Sequence, residues 1–246
     1  MKENEMVFGI RAVIEAIQAD KEIDKILVKR ELQSDLSREL FGVLKGRDIA
    51  VQRVPAERLD RLTRKNHQGV IAFMSAITYQ KLEDIIPFLY EQGKNPFIVL
   101  LDGVTDVRNF GAIARTCECA GVDAIVIPAK GSVTVNADAM KTSAGALHVL
   151  PVCKEKSINQ SIRFLQESGV KVYAASEKAT ENYTDIHYEG PVAIVMGAED
   201  TGVSMENLRI CDSMIKIPQF GTIGSLNVSV ASSILIYEVV RQRMKE

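Results

Sequence analysis

The chain has 246 residues, 46% hydrophobic and 25% charged, with a formal net charge of −2. That length fits one large domain or two modest ones, and that balance supports a buried core and excludes a mainly disordered chain. No stretch approaches the roughly 18 apolar residues of a membrane span, MKENEMVFGIRAVIEAI lacks the apolar run of a signal peptide, and the small net charge excludes a global cationic field.

Residues 1–75 carry 14 Lys and Arg against 12 Asp and Glu, so any contact with nucleic acid must be a local patch. Cys117, Cys119, Cys153 and Cys211 read as core thiols of a reducing compartment, with no disulfide framework and no metal site. The expected location is the cytoplasm, without a membrane partner.

In chain order, residues 8–19 place Ile10, Val13, Ile14 and Ile17 at helical spacing. A strand follows at Lys25–Val28, then a helix marked by Leu36, Leu40 and Leu44, a strand at Ala50–Val54, a polar helix at Ala56–Lys65 and a strand at Gly69–Ala76. This is an alternating α/β module, expected over residues 1–76. Residues 77–95 read as a connector with a helix at Leu82–Glu91. From residue 96 to 246, short and nearly continuous apolar runs recur at Phe97–Leu101, Ala124–Ile127, Val170–Ala174 and Val192–Met196. Strands buried on both faces mark a parallel sheet covered by helices. A last helix is expected at Asn227–Lys245, with Val230, Ile234, Tyr237 and Val240 apolar.

Ligands of such a sheet sit at the carboxyl ends of its strands. Neither G-x-G-x-x-G nor G-x-x-x-x-G-K-[ST] is present, so a dinucleotide or a triphosphate is not announced. Three other segments stand at strand ends. DGVTDVRNFGAIAR follows Phe97–Leu101; Asn109 suits a helix cap, Gly111 fits a close approach, and Arg115 interrupts apolar surroundings. MGAEDTGVS follows the strand at Val192, with Gly197 and Gly202 bracketing Glu199 and Asp200. IPQFGTIGSLNVSVA runs from a strand end through two glycines to Ser225, Asn227 and a helix of small residues. Capping explains the first two; the third has more uncharged donors than a connector needs.

Together the three segments resemble the motifs of the SpoU/TrmH family of SPOUT methyltransferases: N-x-G-x-x-x-R in Asn109, Gly111 and Arg115; G-x-E-x-x-G in Gly197, Glu199 and Gly202; and I-P-x-x-G-x-x-x-S-L-N-V-S-V-A from Ile217 to Ala231. Asp200 departs from the small residue usual after the glutamate. VFGIRAVIEAI and NHQGVIA resemble the substrate-binding domain of the subgroup that modifies a guanosine of 23S rRNA. The resemblance implies an α/β fold with a small N-terminal substrate-binding domain and a C-terminal parallel sheet tied in a deep trefoil knot. It also implies ribose 2′-O-methylation of RNA with S-adenosylmethionine as cofactor, in a homodimer whose site lies at or near the interface.

By carry-over, Met196, Gly197, Ile217 and Leu226 hold the cofactor. Arg115, Asn109, Glu199, Ser225 and Asn227 form the catalytic set. A guanidinium holds its proton at neutral pH, so Arg115 is expected to bind the target phosphate and stabilise the developing alkoxide instead of acting as a base. Arg11, Arg30, Arg58, Arg61, Lys65 and His67 are the RNA-contact candidates of the N-terminal module, with Arg58, Arg61 and Lys65 spaced to share one face of the polar helix. Two other readings fit less well: a tRNA 2′-O-methyltransferase, and a non-catalytic RNA-binding assembly factor.

Overall fold

The computed structural model describes residues 6–47 and 49–244. Two compact units emerge: the chain up to Thr78 together with Thr134–Ala137, and Tyr79–Val133 together with the chain from Asp138 on.

The first unit has a four-stranded sheet of β1 (Met6–Phe8), β2 (Ile23–Lys29), β3 (Ala50–Val54) and β4 (Val70–Met74), in the order β1-β4-β2-β3. β4 runs antiparallel to both β1 and β2, and only β2 and β3 are parallel. The expected helix at residues 8–19 divides: Met6–Phe8 pair with β4, Gly9 turns the chain at φ 93°, and α1 covers Ile10–Gln18. A positive φ suits glycine because a Cβ would clash with the backbone. α1 and α2 (Asp35–Leu44) pack Val13, Ile14, Ile17 and Leu40 on one face of the sheet against Ile26 and Val28. The other face carries Leu27, Ile71 and Phe73 under Leu59 of α3 (Ala56–Asp60).

That third helix is half its expected length. After Asp60 the chain turns, the N–H groups of Leu62 and Thr63 both donating to the Leu59 carbonyl, and Thr63 Oγ1 accepts from the Lys65 N–H. A threonine that bonds nearby backbone competes with helix continuation. Lys65 therefore does not share a helical face with Arg58 and Arg61, as their spacing had implied.

The second unit is a seven-stranded, fully parallel sheet in the order β7-β6-β5-β10-β8-β11-β9. Its strands are β5 (Phe97–Asp102), β6 (Ala124–Pro128), β7 (Val152–Glu155), β8 (Lys171–Ala175), β9 (Glu181–Asn182), β10 (Val192–Gly197) and β11 (Ser213–Lys216). The central β10 is buried along its whole length, as its unbroken apolar run requires. The helix expected within a connector is α4 (Leu82–Glu91), and its Leu82, Ile85, Ile86 and Leu89 belong to the core of this unit. α5 (Val107–Cys119), α6 (Ala137–Thr142), α7 (Ile158–Glu167), α8 (Met205–Leu208) and α9 (Val228–Arg243) complete the helices.

α9 packs along α5, where Thr116 Oγ1 and Ser233 Oγ lie 3.1 Å apart. Its buried face is Val228, Ser232, Leu235, Ile236 and Val239. Val230 and Tyr237, two of the apolar residues noted in the expected helix, are about half exposed at 48% and 49%. Apolar residues are spread around the helix, and polar Ser232 and Glu238 lie on its buried side, so period alone cannot choose its inner face. Lys245, the expected last residue of that helix, lies outside the described residues.

Candidate functional site

β5 delivers the first motif. The helix cap there is Asp106 and not Asn109: the Asp106 side chain accepts from the N–H groups of Arg108 (2.9 Å) and Asn109 (2.8 Å). A carboxylate at that position satisfies two otherwise free amides, which releases the Asn109 side chain for other work. Gly111 answers to packing. A Cβ there would lie 2.6 Å from Thr142 Cβ and 3.1 Å from the Ser143 backbone nitrogen.

β10 delivers the second motif. A Cβ on Gly197 would stand 2.0 Å from the Gly202 carbonyl carbon and 2.0 Å from the Val203 nitrogen, because the loop folds straight back over the strand end. The Gly202 N–H donates to the Ala198 carbonyl at 2.9 Å. The turn so closed presents Glu199 and Asp200 at an exposed tip.

The third motif, after β11, is exposed from Pro218 to Asn227. Gln219 braces it: with the amide oriented by its neighbours, its nitrogen donates to the carbonyls of Ile223 (3.0 Å) and Gly224 (3.1 Å). Asn227 is the N-cap of α9, its Oδ1 accepting from the N–H (2.9 Å) and Oγ (2.6 Å) of Ser229. With that oxygen engaged, its Nδ2 donates to Asn109 Oδ1 at 3.1 Å and to Glu199 Oε1. One amide thus joins three segments that are far apart in the chain.

Two cavities flank the junction. The larger, about 400 Å³, lies at the carboxyl ends of β8, β10 and β11 and is lined by Met196, Gly197, Glu199, Ile217, Ser225 and Leu226 among others. All four residues expected at the cofactor are there, with two of the catalytic set. The smaller, about 260 Å³, sits beside the end of β5 and is lined by Asp106, Asn109, Ala198, Glu199, Asp200 and Val228. Glu199 and Asp200 line both. Arg115 is the member of the set that is not gathered. It follows Asn109 by six residues, about 240° round and 9 Å along the helix. It is exposed, lines neither cavity, and its side chain has no hydrogen bond or ion pair among the described residues.

Of the RNA-contact candidates, Arg11, Arg30, Arg58, Arg61 and Lys65 are exposed. His67 is engaged inside the fold. Its Nδ1 accepts from the Gly69 N–H at 3.0 Å, so Nε2 bears the proton and donates to Asp60 at 2.9 Å. Gln68, from the same segment, accepts from the Ile10 N–H through Oε1 at 3.1 Å and so satisfies a free amide at the start of α1. The two N-terminal signatures are therefore bound to each other.

Sequence reasoning passed over Lys25, whose Nζ lies 5.0 Å from the centre of the Phe73 ring. Burial first, and then the Arg58 charge, hold this ammonium below its ordinary value. Its only signal was a charge within an apolar run. Among the thiols, Cys117 and Cys153 are buried and Cys211 half-buried, but Cys119 is exposed, contrary to a core role. Burial pushes the Cys153 thiol up to about 12.

The model of the SpoU rRNA methylase family matches residues 96–237, and that of the RNA 2′-O ribose methyltransferase substrate-binding domain matches residues 6–80. The chain belongs to the SpoU rRNA methylase family. A 23S rRNA (guanosine-2′-O-)-methyltransferase, RlmB, of Photobacterium profundum is 36% identical to this SpoU methylase over 98% of either chain. An AdoMet-bound rRNA methyltransferase of Sinorhizobium meliloti superposes with a TM-score of 0.61 at 27% identity, covering 96% of this chain and 87% of that one. The TrmH/SpoU tRNA-modifying enzyme of A. aeolicus superposes with a TM-score of 0.57 at 32% identity, covering 67% of this chain and 85% of that one. The junction at Asn227 is thus the meeting point of the three motifs of an RNA 2′-O-ribose methyltransferase, the class that the motifs implied.

Proposed function

We propose that this SpoU methylase transfers a methyl group from S-adenosylmethionine to the ribose 2′-oxygen of a guanosine in 23S rRNA, with S-adenosylhomocysteine as the leaving group and the hydroxyl proton released. The observation that carries the reading is Asn227, tied to Asn109 and Glu199 between the two cavities. The larger cavity fits the cofactor. Its walls combine strand ends, glycine-bearing loops and apolar Met196, Ile217 and Leu226 with charged Glu177, Lys178, Glu199, Asp200 and Lys216; it has no phosphate loop, and S-adenosylmethionine has no phosphate to cradle. When bound, this cofactor supplies an electrophilic methyl group on a sulfonium.

The protein's share is orientation. Met196 and Leu226 hold the apolar parts of the cofactor, and the backbone at Gly197 and Ile217 offers donors and acceptors to its polar edges. Asn109 and Glu199, fixed by Asn227, orient the acceptor ribose from the smaller cavity, and Ser225 borders the donor side. Held near-attack geometry can supply about 7–11 kcal/mol.

Arg115 stabilises the developing alkoxide and the neighbouring phosphate. It does so from a second copy of the chain, which accounts for its distance from the Asn109 cluster here. The half-exposed Val230 and Tyr237 of α9, the helix that packs along α5, give such a copy an apolar surface to cover. The path on which β10 and β11 flank β8 before α9 returns along α5 suits the trefoil knot implied by the motifs. Residues 1–76 bind the RNA, using Arg11, Arg30, Arg58, Arg61 and Lys65, with His67 holding the fold of that segment. The unit from Tyr79 on, whose core takes in α4 of the expected connector 77–95, performs the chemistry with the motifs of 96–246, in the cytoplasm; among the described residues no helix is long and apolar enough to cross a membrane.

The choice of 23S rRNA over tRNA draws on coverage. The rRNA relative aligns over 98% of this chain, whereas the tRNA-modifying structure covers 67% of it. The test is transfer of labelled methyl groups to purified 23S rRNA, to precursor particles and to total tRNA. Label in 23S rRNA at a guanosine 2′-oxygen is expected; label confined to tRNA would overturn the choice of target, and no label in any of the three would overturn the reading.

A further inference from the structure

Glu199 stands at the tip of a loop that begins at Gly197 and ends at Ser204. An exposed tip of this kind wanders unless both of its ends are fixed. The first end is fixed by β10 itself, where Gly197 pairs in parallel register with Asp102 of β5. The second end has no strand to hold it. There the Asp102 carboxylate reaches across: its Oδ2 accepts from the Ser204 N–H at 2.8 Å and from Asn207 Nδ2 at 2.8 Å. Asn207 is only 5% exposed, so its amide must find a partner inside the protein. Asp102 provides it.

We infer that Asp102 is a positioning residue, a clamp that closes the Glu199 loop and thereby fixes the Glu199–Asn227 junction. The inference rests on the methyltransferase reading above. Asp102 lines neither cavity and acts through the loop alone. The clamp and the junction work from opposite sides. Asp102 holds the exit of the loop, Gly202 holds its neck through the Ala198 carbonyl, and Asn227 holds the tip. Ala in place of Asp102 leaves the Ser204 amide and the buried Asn207 amide without their acceptor. Asn in place of Asp102 keeps one oxygen where Oδ2 stands, so the conservative change restores what Ala removes. Ala198, Glu199, Asp200, Thr201 and Gly202 of this loop also line the larger cavity, so cofactor affinity falls together with turnover.

The experiment compares the full-length protein with Asp102→Ala, Asp102→Asn and Asn207→Ala. The readouts are amide exchange over residues 198–204 without ligand, affinity for S-adenosylhomocysteine by calorimetry, and single-turnover methylation of the RNA substrate. Asp102→Ala is expected to speed exchange across 198–204, to weaken S-adenosylhomocysteine binding and to slow methyl transfer by about 10- to 100-fold, and Asp102→Asn recovers most of the affinity and the rate. If Asp102→Ala does not fold, Asn207→Ala carries the test, with a loss of about 3-fold or more in rate expected because half of the clamp is gone. Unchanged loop exchange, an unchanged rate, or a loss that Asp102→Asn does not recover would each overturn the clamp. A wild-type protein that binds neither S-adenosylhomocysteine nor RNA would instead overturn the methyltransferase reading itself.

Discussion

The two units use their polar residues in opposite ways. In the first unit the NHQG segment is spent on architecture: Gln68 satisfies an amide of α1, and His67 ties Asp60 to Gly69. In the second, Asn227 joins Asn109, which lines the smaller cavity, to Glu199, which lines both. A motif contiguous in sequence can thus be a brace, while residues 28 and 118 positions apart can form one site. Segment identity does not distinguish the two cases; the hydrogen-bond partner does.

That contrast can be broken by substitution. Asn227→Ala should have the largest effect. It frees both Asn109 and Glu199, and methyl transfer should fall by about 100-fold or more in single turnover. It also removes the cap of α9, worth about 1 kcal/mol in a thermal melt. A variant with that melting shift but full activity would reduce Asn227 to a brace like Gln68. Gly197→Ala comes next. Its new methyl would meet backbone at 2.0 Å, so the loop must shift, at a cost of about 1–3 kcal/mol, and calorimetry should show loss of S-adenosylhomocysteine binding.

Gln68→Ala supplies the opposite case. The α1 amide loses its acceptor, the melting free energy should fall by about 1 kcal/mol, and S-adenosylhomocysteine affinity should stay unchanged. A change in affinity would mean that the first unit's signature does more than hold its own fold. The smallest effect is chemical. With its thiol pushed up to about 12 by burial and by Glu155, Cys153 carries a negligible thiolate fraction at pH 8. Iodoacetamide should therefore label exposed Cys119 first, with peptide mapping as the readout and no loss of cofactor binding.

Much of the second unit was legible because its strands announce themselves. Phe97–Leu101 and Val192–Met196 have no polar residue to interrupt them, and buried parallel strands need none. Met196, Gly197, Ile217 and Leu226, placed at the cofactor by the resemblance alone, line one cavity together. Other features depended on partners that no local pattern reveals. Asp106 took the cap expected of Asn109 because the local geometry favoured the residue three positions earlier. α9 hid its inner face because apolar Val230 and Tyr237 point outward while polar Ser232 and Glu238 are buried. α3 stopped at Asp60 where Thr63 bonds the following backbone, and this dispersed the cationic face expected at Arg58, Arg61 and Lys65. Asp102 carried no sequence signal beyond its place at a strand end; its partners lie 102 and 105 residues away.

The central claim is that Asn227 assembles a ribose-methylation site for 23S rRNA. Its most direct test is a map of ribose methylations in total RNA from cells lacking this chain, complemented with the wild-type chain or with Asn227→Ala. The expected result is the loss of one 23S rRNA guanosine 2′-O-methyl group, restored by the wild type and not by Asn227→Ala. Full restoration by Asn227→Ala, or an rRNA map that never changes, would contradict it.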